Sequence, residues 1–338
     1  MQARGAAPAW IGHDRGSAYD GLIVTPVTVR VPAKVNLQLS VGPLRDDGYH
    51  DLVTVFHAVS LYDEVTVRPA DRISVRVTGR DAASIPAGRA NLAAQAARAL
   101  AASLHRRGGS AVQIEIRKRI PVAAGLAGGS ADAAATLVAC NDLWGAGLSP
   151  AELRDVAAGV GSDVPFALLG GTAIGQGRGE RLTAALAAGT YHWVLAFAAA
   201  GLSTPEVYAA CDRLRAAARD AAEDAAHGTG SALSTELMAA LRSGDPAAVG
   251  PLLSNDLQPA AVSLRPDLRR ALDAGREFGA LGAIVSGSGP TCAFLAASAG
   301  HARDLAVSLT GAGVCRGVVR VKGPAGGAAV VAANQETQ

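Results

Sequence analysis

The chain has 338 residues, 49% of them hydrophobic, which is enough for two domains with substantial cores. Its formal net charge of +2 argues against a general nucleic-acid-binding protein. The most apolar window, WVLAFAAAGL, is far shorter than the roughly 20 residues of a membrane span, and no signal-peptide pattern is present. Four scattered cysteines without zinc-site spacing predict reduced thiols in a cytoplasmic protein.

The first predicted elements are strands. Residues 1–25 lack hydrophobic periodicity and predict a disordered N-terminal extension. From Val27, alternation with period two predicts strands in VTVRVPAKVNLQLSVG, DLVTVFHAVSLYDEVTVRPA, ISVRVTGR and AVQIEIRKRI, with the turn RDDGYH after the first. NLAAQAARALAASLHRRGG predicts a helix ended by glycines. SPAELRDVAAGVG predicts a helix with a serine cap and an early proline.

A second half begins near residue 175, so the predicted domains are 26–175 and 176–338. It contains a strand in HWVLAFAA, an alanine-rich helical region, the loop HGTGSALS and a helix in PDLRRALDAG. GAIVSGSGPTCAFLA predicts a strand, a tight glycine loop and a second strand. Because strands and helices are segregated, the predicted fold class is α+β with two sub-domains.

The segment IPVAAGLAGGSADAAATL, residues 120–137, combines three glycines with a helix predicted from about Ser130. Glycines let consecutive amides converge on a phosphate, and a helix N-terminus adds unpaired N–H groups. The simpler alternative is a turn capped by the serine. The segment lacks the GxxxxGK[ST] pattern of a Walker A loop and the GxGxxG pattern of a dinucleotide site.

PVAAGLAGGSADAAA resembles the phosphate-binding loop of the GHMP kinase superfamily, named for galacto-, homoserine, mevalonate and phosphomevalonate kinases. PAKVNLQLSVG and GAIVSGSGPTCAFL resemble the first and third motifs of that superfamily, in the same order. The resemblance covers residues 27 to about 319. It implies a two-domain GHMP kinase fold with the active site in the inter-domain cleft.

Three further strings narrow this resemblance: AKVNLQLSVGPLRDDGYHDLVTVFHAVSLYDEV, VGSDVPFALLGGTAIGQGRGE and SNDLQPAA. They are similar to the branch that acts on 4-diphosphocytidyl-2-C-methyl-D-erythritol in the non-mevalonate isoprenoid pathway. The similarity implies ATP-dependent phosphorylation of the 2-hydroxyl of that substrate. The alternatives are another GHMP kinase, of homoserine or mevalonate type, and a non-catalytic GHMP-fold ligand sensor.

The resemblance implies two catalytic residues. Asp163, in GSDVP, would take the proton from the substrate hydroxyl; otherwise it is a loop aspartate that caps a helix. Lys34 would approach Asp163 and steady charge on the transferring phosphoryl group; otherwise it is a solvent-exposed lysine on a strand.

The substrate-binding residues implied by the resemblance include Asn36, which would orient the polyol. His50 would bond the cytosine ring, which Tyr49 and Tyr208 would sandwich. A solvated turn histidine and a core tyrosine are the ordinary interpretations of His50 and Tyr208. Completing this set are Thr204, for the substrate backbone, and Gly287, Ser288 and Gly289, which would close over the phosphates unless they form only a tight hairpin.

For ATP, the resemblance implies a loop around the phosphates, with Ser130 near the β-phosphate or its Mg²⁺. The predicted ATP-binding residues are Asn91, Pro121, Val122, Ala123, Ala124, Gly125, Leu126, Ala127, Gly128, Gly129, Ser130 and Ala131. Asn91 is expected either to contact adenine or only to cap a helix. The loop alanines are expected to avoid positive φ or to incur strain. No protein carboxylate is assigned to the metal, and a monomer or weak homodimer is expected.

Overall fold

The computed structural model describes residues 25–106, 109–221 and 232–331. The predicted N-terminal extension therefore lies outside the described residues except for its last residue, as does most of the loop HGTGSALS. In the described part of the chain, no helix is long and apolar enough to cross a membrane.

The first of two β-sheets is built on a long antiparallel hairpin of β1 (Val27–Leu44) and β2 (His50–Pro69), joined by the predicted RDDGYH turn. Its other strands are β3 (Ser74–Gly79), β4 (Val112–Lys118), β5 (Thr172–Gly177), β6 (Arg181–Ala184), β8 (Ser254–Asn255) and β12 (Ala329–Val330). The main path is β12-β1-β2-β4-β3. Strand β5 pairs with β2 and β6, and β8 runs parallel to β1.

Alternation decides what each face of the first sheet contacts. In β4, Val112, Ile114 and Ile116 are fully buried and the residues between them are less so, as the sequence pattern predicts. In β1 both faces are buried, because Lys34 and Asn36 alternate with apolar neighbours and are themselves covered. A polar face of β1 thus lies inside the molecule.

Helices α1 (Leu92–Ser103), α2 (Gly128–Leu143) and α4 (Val164–Leu169) pack on the first sheet, and α3 (Pro150–Val160) packs on these three helices. Many buried residues of α1 and α2 are alanines, which permit close packing of helix against helix and sheet. The predicted cap of α3 is confirmed: Ser149 and Glu152 form a reciprocal capping box, with Pro150 in the first turn.

The second sheet is antiparallel, with the order β11-β7-β10-β9. Its strands are β7 (Tyr191–Phe197), β9 (Gly282–Val285), β10 (Cys292–Ala296) and β11 (Gly317–Gly323). The helices of this half are α5 (Thr204–Ala221), α6 (Thr235–Ser243), α7 (Pro246–Val249), α8 (Gln258–Leu264), α9 (Asp267–Glu277) and α10 (Ala299–Gly311). Helices α5, α8, α9 and α10 enclose a second apolar core that includes Val194, Phe294 and Leu305. Helices α6 and α7 instead contribute buried residues to the first core.

The two halves are connected by more than one crossing of the chain. The first sheet continues to Ala184 and later gains β8 and β12 from the second half. Near the C-terminus, Ala325 N donates to Ala58 O, Ala328 N to Ala167 O and Val331 N to Thr28 O. The predicted division near residue 175 stays a prediction, but the predicted α+β fold class is confirmed.

Candidate active site

A cleft of about 640 Å³ is lined by β1, the loop before α2, the start of α5 and the glycine turn after β9. All three motifs predicted from the sequence thus meet in one place. The predicted residues that line it are Lys34, Asn36, Asn91, Pro121, Val122, Ala123, Ala124, Gly125, Ala127, Gly128, Gly129, Ser130, Asp163, Thr204, Tyr208, Gly287 and Ser288. The other predicted residues, which do not line it, are Tyr49, His50, Leu126, Ala131 and Gly289.

The predicted phosphate-binding loop leads directly into α2, which begins at Gly128, two residues before the predicted start near Ser130. The interpretation of a turn capped by Ser130 is therefore wrong, because Ser130 lies inside the helix. Ala127 is the N-cap residue, and its side chain makes no capping bond. The first amides of α2 are consequently available to an anion in the cleft, where the helix dipole also favours negative charge.

Two loop alanines have positive φ, so the strained alternative of the prediction applies to them. Ala123 has φ +50° and Ala127 has φ +58°. Neighbouring contacts maintain both: Ala123 O accepts from Leu202 N at 3.5 Å, and Ala127 O accepts the first helical bond, from Ala131 N at 2.9 Å. Each left-handed alanine costs roughly 1–2 kcal/mol, which these tertiary and helical contacts must offset.

Gly125 connects the loop to the other two motifs through hydrogen bonds. Its carbonyl oxygen accepts hydrogen bonds from Lys34 Nζ at 2.9 Å and from Ser286 Oγ at 3.0 Å. Its φ is +73°, and a Cβ at this position would lie 2.0 Å from Ser286 O. Only glycine satisfies both the backbone angle and this close approach.

Lys34 is a buried cation at the base of the cleft, so the interpretation of a solvent-exposed strand lysine is wrong. Its Nζ donates to Asn36 Oδ1 at 2.7 Å and lies 3.9 Å from Asp163 Oδ2. Asn36 in turn donates to Thr54 Oγ1 at 2.8 Å. Burial lowers the pKa of Lys34 from its ordinary value, and the negative charge of Asp163 partly opposes this shift.

Asp163 occupies the N-cap position of α4, yet its carboxylate makes no capping bond to that helix. Instead it faces the cleft, with 31% of the side chain exposed. The alternative of a helix-capping aspartate is therefore wrong. A carboxylate free of local bonds and next to an ammonium group has the geometry of a proton acceptor.

The residues predicted to bind a base lie around the entry of β2 and the first turns of α5. His50 is buried and not solvated: its Nε2 lies 3.0 Å from Asp212 Oδ1, and its ring is 5.0 Å from that of Tyr208. Tyr49 is half exposed, and the guanidinium of Arg178 lies 4.8 Å from its ring centroid. The sequence did not single out Asp212 or Arg178.

The glycine turn between β9 and β10 is both a hairpin and a wall of the cleft. Ser286 N donates to Thr291 O at 2.9 Å, which closes the hairpin. Ser288 Oγ lies 2.8 Å from Thr204 Oγ1, so the two predicted hydroxyls are in contact. A Cβ on Gly287 would lie 3.1 Å from Lys34 Nζ.

Asn255 supports this turn, since its Nδ2 donates to Val285 O at 2.7 Å and to Gly287 O at 2.8 Å. It belongs to the string SNDLQPAA, one of those that narrow the family resemblance, but no role was predicted for the asparagine. Asn91, by contrast, caps α1 by accepting from Ala93 N, while it also lines the cleft. Its two interpretations are therefore compatible.

A buried charge cluster behind the loop was not predicted. Lys118 Nζ contacts Asp63 Oδ2 at 2.5 Å, Asp132 Oδ2 at 2.8 Å and Gly128 O at 3.2 Å. Burial raises the pKa of Asp132, and the positive charge of Lys118 partly opposes this shift. Burial alone would lower the pKa of Lys118, but the negative charges of Asp132 and Asp63 outweigh it, so the pKa of Lys118 is raised. Asp132 thus has a structural role, as a partner of Lys118 in a buried ion pair.

Two family models match this chain: the GHMP kinases N terminal domain over residues 91–171, and the GHMP kinases C terminal domain over residues 237–315. A 4-diphosphocytidyl-2-C-methyl-D-erythritol kinase from Mycolicibacterium smegmatis is 58% identical over 97% of this chain and 98% of its own. The chain belongs to this kinase family. A member of the family from Nocardia farcinica is 55% identical over 92% of this chain and 98% of its own.

Solved structures of other proteins have the same fold as this chain. A crystal structure of 4-(cytidine 5'-diphospho)-2C-methyl-D-erythritol kinase has a TM-score of 0.69 and 35% identity, covering 88% of this chain and all of that one. A homoserine kinase from Cytophaga hutchinsonii has the same TM-score at 20% identity, covering 93% of this chain and all of its own, and shares the fold. The predicted GHMP kinase fold is confirmed.

Proposed function

We propose that the protein transfers the γ-phosphoryl group of ATP to the 2-hydroxyl of 4-diphosphocytidyl-2-C-methyl-D-erythritol, giving the 2-phosphate and ADP. The observation that carries this proposal is the meeting of Lys34, Asp163 and the glycine loop in one cleft. Membership of the kinase family supports the choice of substrate. This reaction supplies a step of the non-mevalonate route to isoprenoid precursors.

Asp163 is the proposed proton acceptor. As the hydroxyl oxygen of the substrate bonds to the γ-phosphorus, the bond from that phosphorus to the bridging oxygen breaks and ADP leaves. The hydroxyl proton passes to the carboxylate and then to solvent. Phosphoryl transfer depends mainly on alignment and electrostatic stabilisation, so one carboxylate beside the acceptor hydroxyl is sufficient.

Lys34 is proposed to stabilise negative charge on the transferring group. Its ammonium is buried, so its field is weakly screened by water. Bonds to Gly125 O and Asn36 Oδ1 restrict its position between the loop and the polyol site. The third contact, to Asp163 at 3.9 Å, leaves room for a hydroxyl to approach between the two groups.

The loop and the first turn of α2 are proposed to bind the phosphates of ATP, supplied with Mg²⁺, through backbone amides. Within the described residues, no group of three or more His, Cys, Asp or Glu side chains is arranged to hold a metal ion. Mg²⁺ commonly takes most of its ligands from phosphates and water, and Ser130, which lines the cleft, offers a hydroxyl. The residues present therefore fit this ion, which would neutralise phosphate charge when bound.

The cytidine end of the substrate is proposed to bind near His50, Tyr49 and Tyr208, and the polyol near Asn36 and Thr204. Asp212 beside His50 Nε2 supports this, because the contact fixes which imidazole nitrogen faces the helix. A site of this kind has no use in a homoserine or mevalonate kinase. A monomer or weak homodimer in the cytoplasm is the proposed active form.

The test is a substrate panel with the purified full chain. We expect stoichiometric ADP release and a new phosphomonoester signal in ³¹P NMR with ATP, Mg²⁺ and the cytidine substrate, and no release with homoserine or mevalonate. No product at micromolar enzyme would reject the proposal. Thermal stabilisation by both ligands without ADP release would indicate the non-catalytic sensor instead.

A further inference from the structure

Arg178 is a cation in the cleft to which neither the motifs nor the proposed mechanism assign a role. It lies between β5 and β6, lines the cleft and is exposed to solvent. Its guanidinium lies 4.8 Å from the centroid of the Tyr49 ring, and its backbone N donates to Glu180 Oε2 at 2.7 Å. The backbone of the turn is thereby fixed while the guanidinium group faces the cleft and Tyr49.

Arg178 differs from Lys34 and Lys118 in the partners of its charged group. Lys118 is matched by two buried carboxylates, and Lys34 lies beside Asp163. Among the residues that the structure describes, the Arg178 guanidinium has no ion pair and no hydrogen bond. An exposed arginine needs no partner for stability, but this one can bind an anion without first breaking a salt bridge.

The position of Arg178 indicates which anion fits beside its guanidinium group. The next residue, Gly179, borders the catalytic carboxylate: a Cβ there would lie 4.0 Å from Asp163 Oδ1. Arg178 therefore lies between the proposed proton acceptor and the aromatic ring of Tyr49. The proposed substrate spans the same interval, with the reacting alcohol at one end, cytosine at the other and a diphosphate between them.

We propose that Arg178 binds the diphosphate of the alcohol substrate and determines selectivity for it; this inference rests on the proposed function. A guanidinium donates two parallel hydrogen bonds to phosphate oxygens, and stacking on Tyr49 limits its orientations. Binding energy at the diphosphate then positions the 2-hydroxyl, because base and polyol are joined through it. An uncharged analogue of the alcohol end alone gains nothing from this contact.

The experiment compares cytidine 5′-diphosphate with cytidine as probes, by calorimetric titration of the full chain. Wild type is expected to bind the diphosphate more tightly than the nucleoside. Arg178→Gln is expected to weaken diphosphate binding by about ten- to a hundredfold and to leave cytidine binding unchanged. Arg181→Gln is the matched control, since Arg181 is exposed, lies in β6 and does not line the cleft.

Steady-state kinetics gives a second readout. Arg178→Gln is expected to raise KM for the cytidine substrate about tenfold or more without changing KM for ATP. Equal weakening of both probes, no weakening of either, or an equal rise in KM for ATP would overturn the assignment. So would a wild type that does not distinguish the probes. A protein that shows the Arg178-dependent binding but releases no ADP would reject the proposed reaction while retaining the diphosphate site.

Discussion

Gly125→Ala is the substitution whose effect the structure defines most sharply. A new Cβ would meet Ser286 O at 2.0 Å and Gly289 N at 2.9 Å, where ordinary contact begins at 3.4 Å. Both obstacles are backbone atoms of the glycine turn, so no side-chain rotation relieves them. Gly145 offers a matched control, because its φ is also positive, at +59°, and a Cβ there has nothing within 4 Å.

Both variants place an alanine at positive φ, but only Gly125→Ala also creates a steric overlap. A left-handed alanine costs roughly 1–2 kcal/mol of folding free energy at either position, as Ala123 and Ala127 already do. Gly125→Ala adds the cost of overpacking, about 1–3 kcal/mol. We therefore expect the free energy of unfolding to fall by about 2–5 kcal/mol for Gly125→Ala, against 1–2 kcal/mol for the control. Urea unfolding of both variants measures the difference.

Catalysis is the more diagnostic measurement. Displacing Gly125 moves the carbonyl that accepts from Lys34 Nζ and Ser286 Oγ. A misplacement near 1 Å at a reacting centre costs about 100-fold in rate, so kcat should fall by that order for Gly125→Ala and stay unchanged for the control. If both variants retain wild-type kcat in the ADP-release assay under folded conditions, the inferred coupling between loop, lysine and glycine turn is refuted.

Three further predictions concern charge. Asp163→Asn should lower kcat about 10²- to 10⁴-fold in the ADP-release assay but leave nucleotide titrations unchanged; full turnover would remove its role as base. Lys118→Met, compared with exposed Lys322→Met, should lose about 3–5 kcal/mol in urea unfolding, because two buried carboxylates lose their cation; equal loss in both would contradict this. Burial lowers the pKa of His57 from 6.5 to about 3. Protons therefore favour the unfolded chain below pH 6.5, so the contribution of His57 to the free energy of unfolding should fall by about 2 kcal/mol between pH 7 and pH 5. Urea unfolding at both pH values measures this as a change in the difference between wild type and His57→Gln, and an unchanged difference would contradict it.

Features set by neighbouring residues could be predicted from the sequence. The strand, loop and helix around Gly125, the capping box of α3 and the hairpin turn before His50 depend on local alternation, caps and turn residues. The resemblance also predicted that Lys34 approaches Asp163, and the two charged groups lie 3.9 Å apart. The reason is that both belong to strings whose chemistry is recognisable without coordinates.

Features that depend on distant partners could not be predicted. Lys118 looks like any polar residue of an alternating strand until Asp63, from β2, is found beside it. Arg178 meets Tyr49 only because β5 pairs with β2. Ala123 has positive φ against its own preference because the segment after β7 contacts it. In each case tertiary contacts override the local signal.

The return of the chain's last strand to the first sheet affects when the enzyme can become active. Strand β1 carries Lys34, and its edge is covered by β8 and β12, which come from residues 254–255 and 329–330. During synthesis, β1 can acquire its final neighbours only after almost the whole chain has left the ribosome. The strand that carries Lys34 is thus completed last although it is made early, and a prematurely terminated chain would lack a finished first sheet.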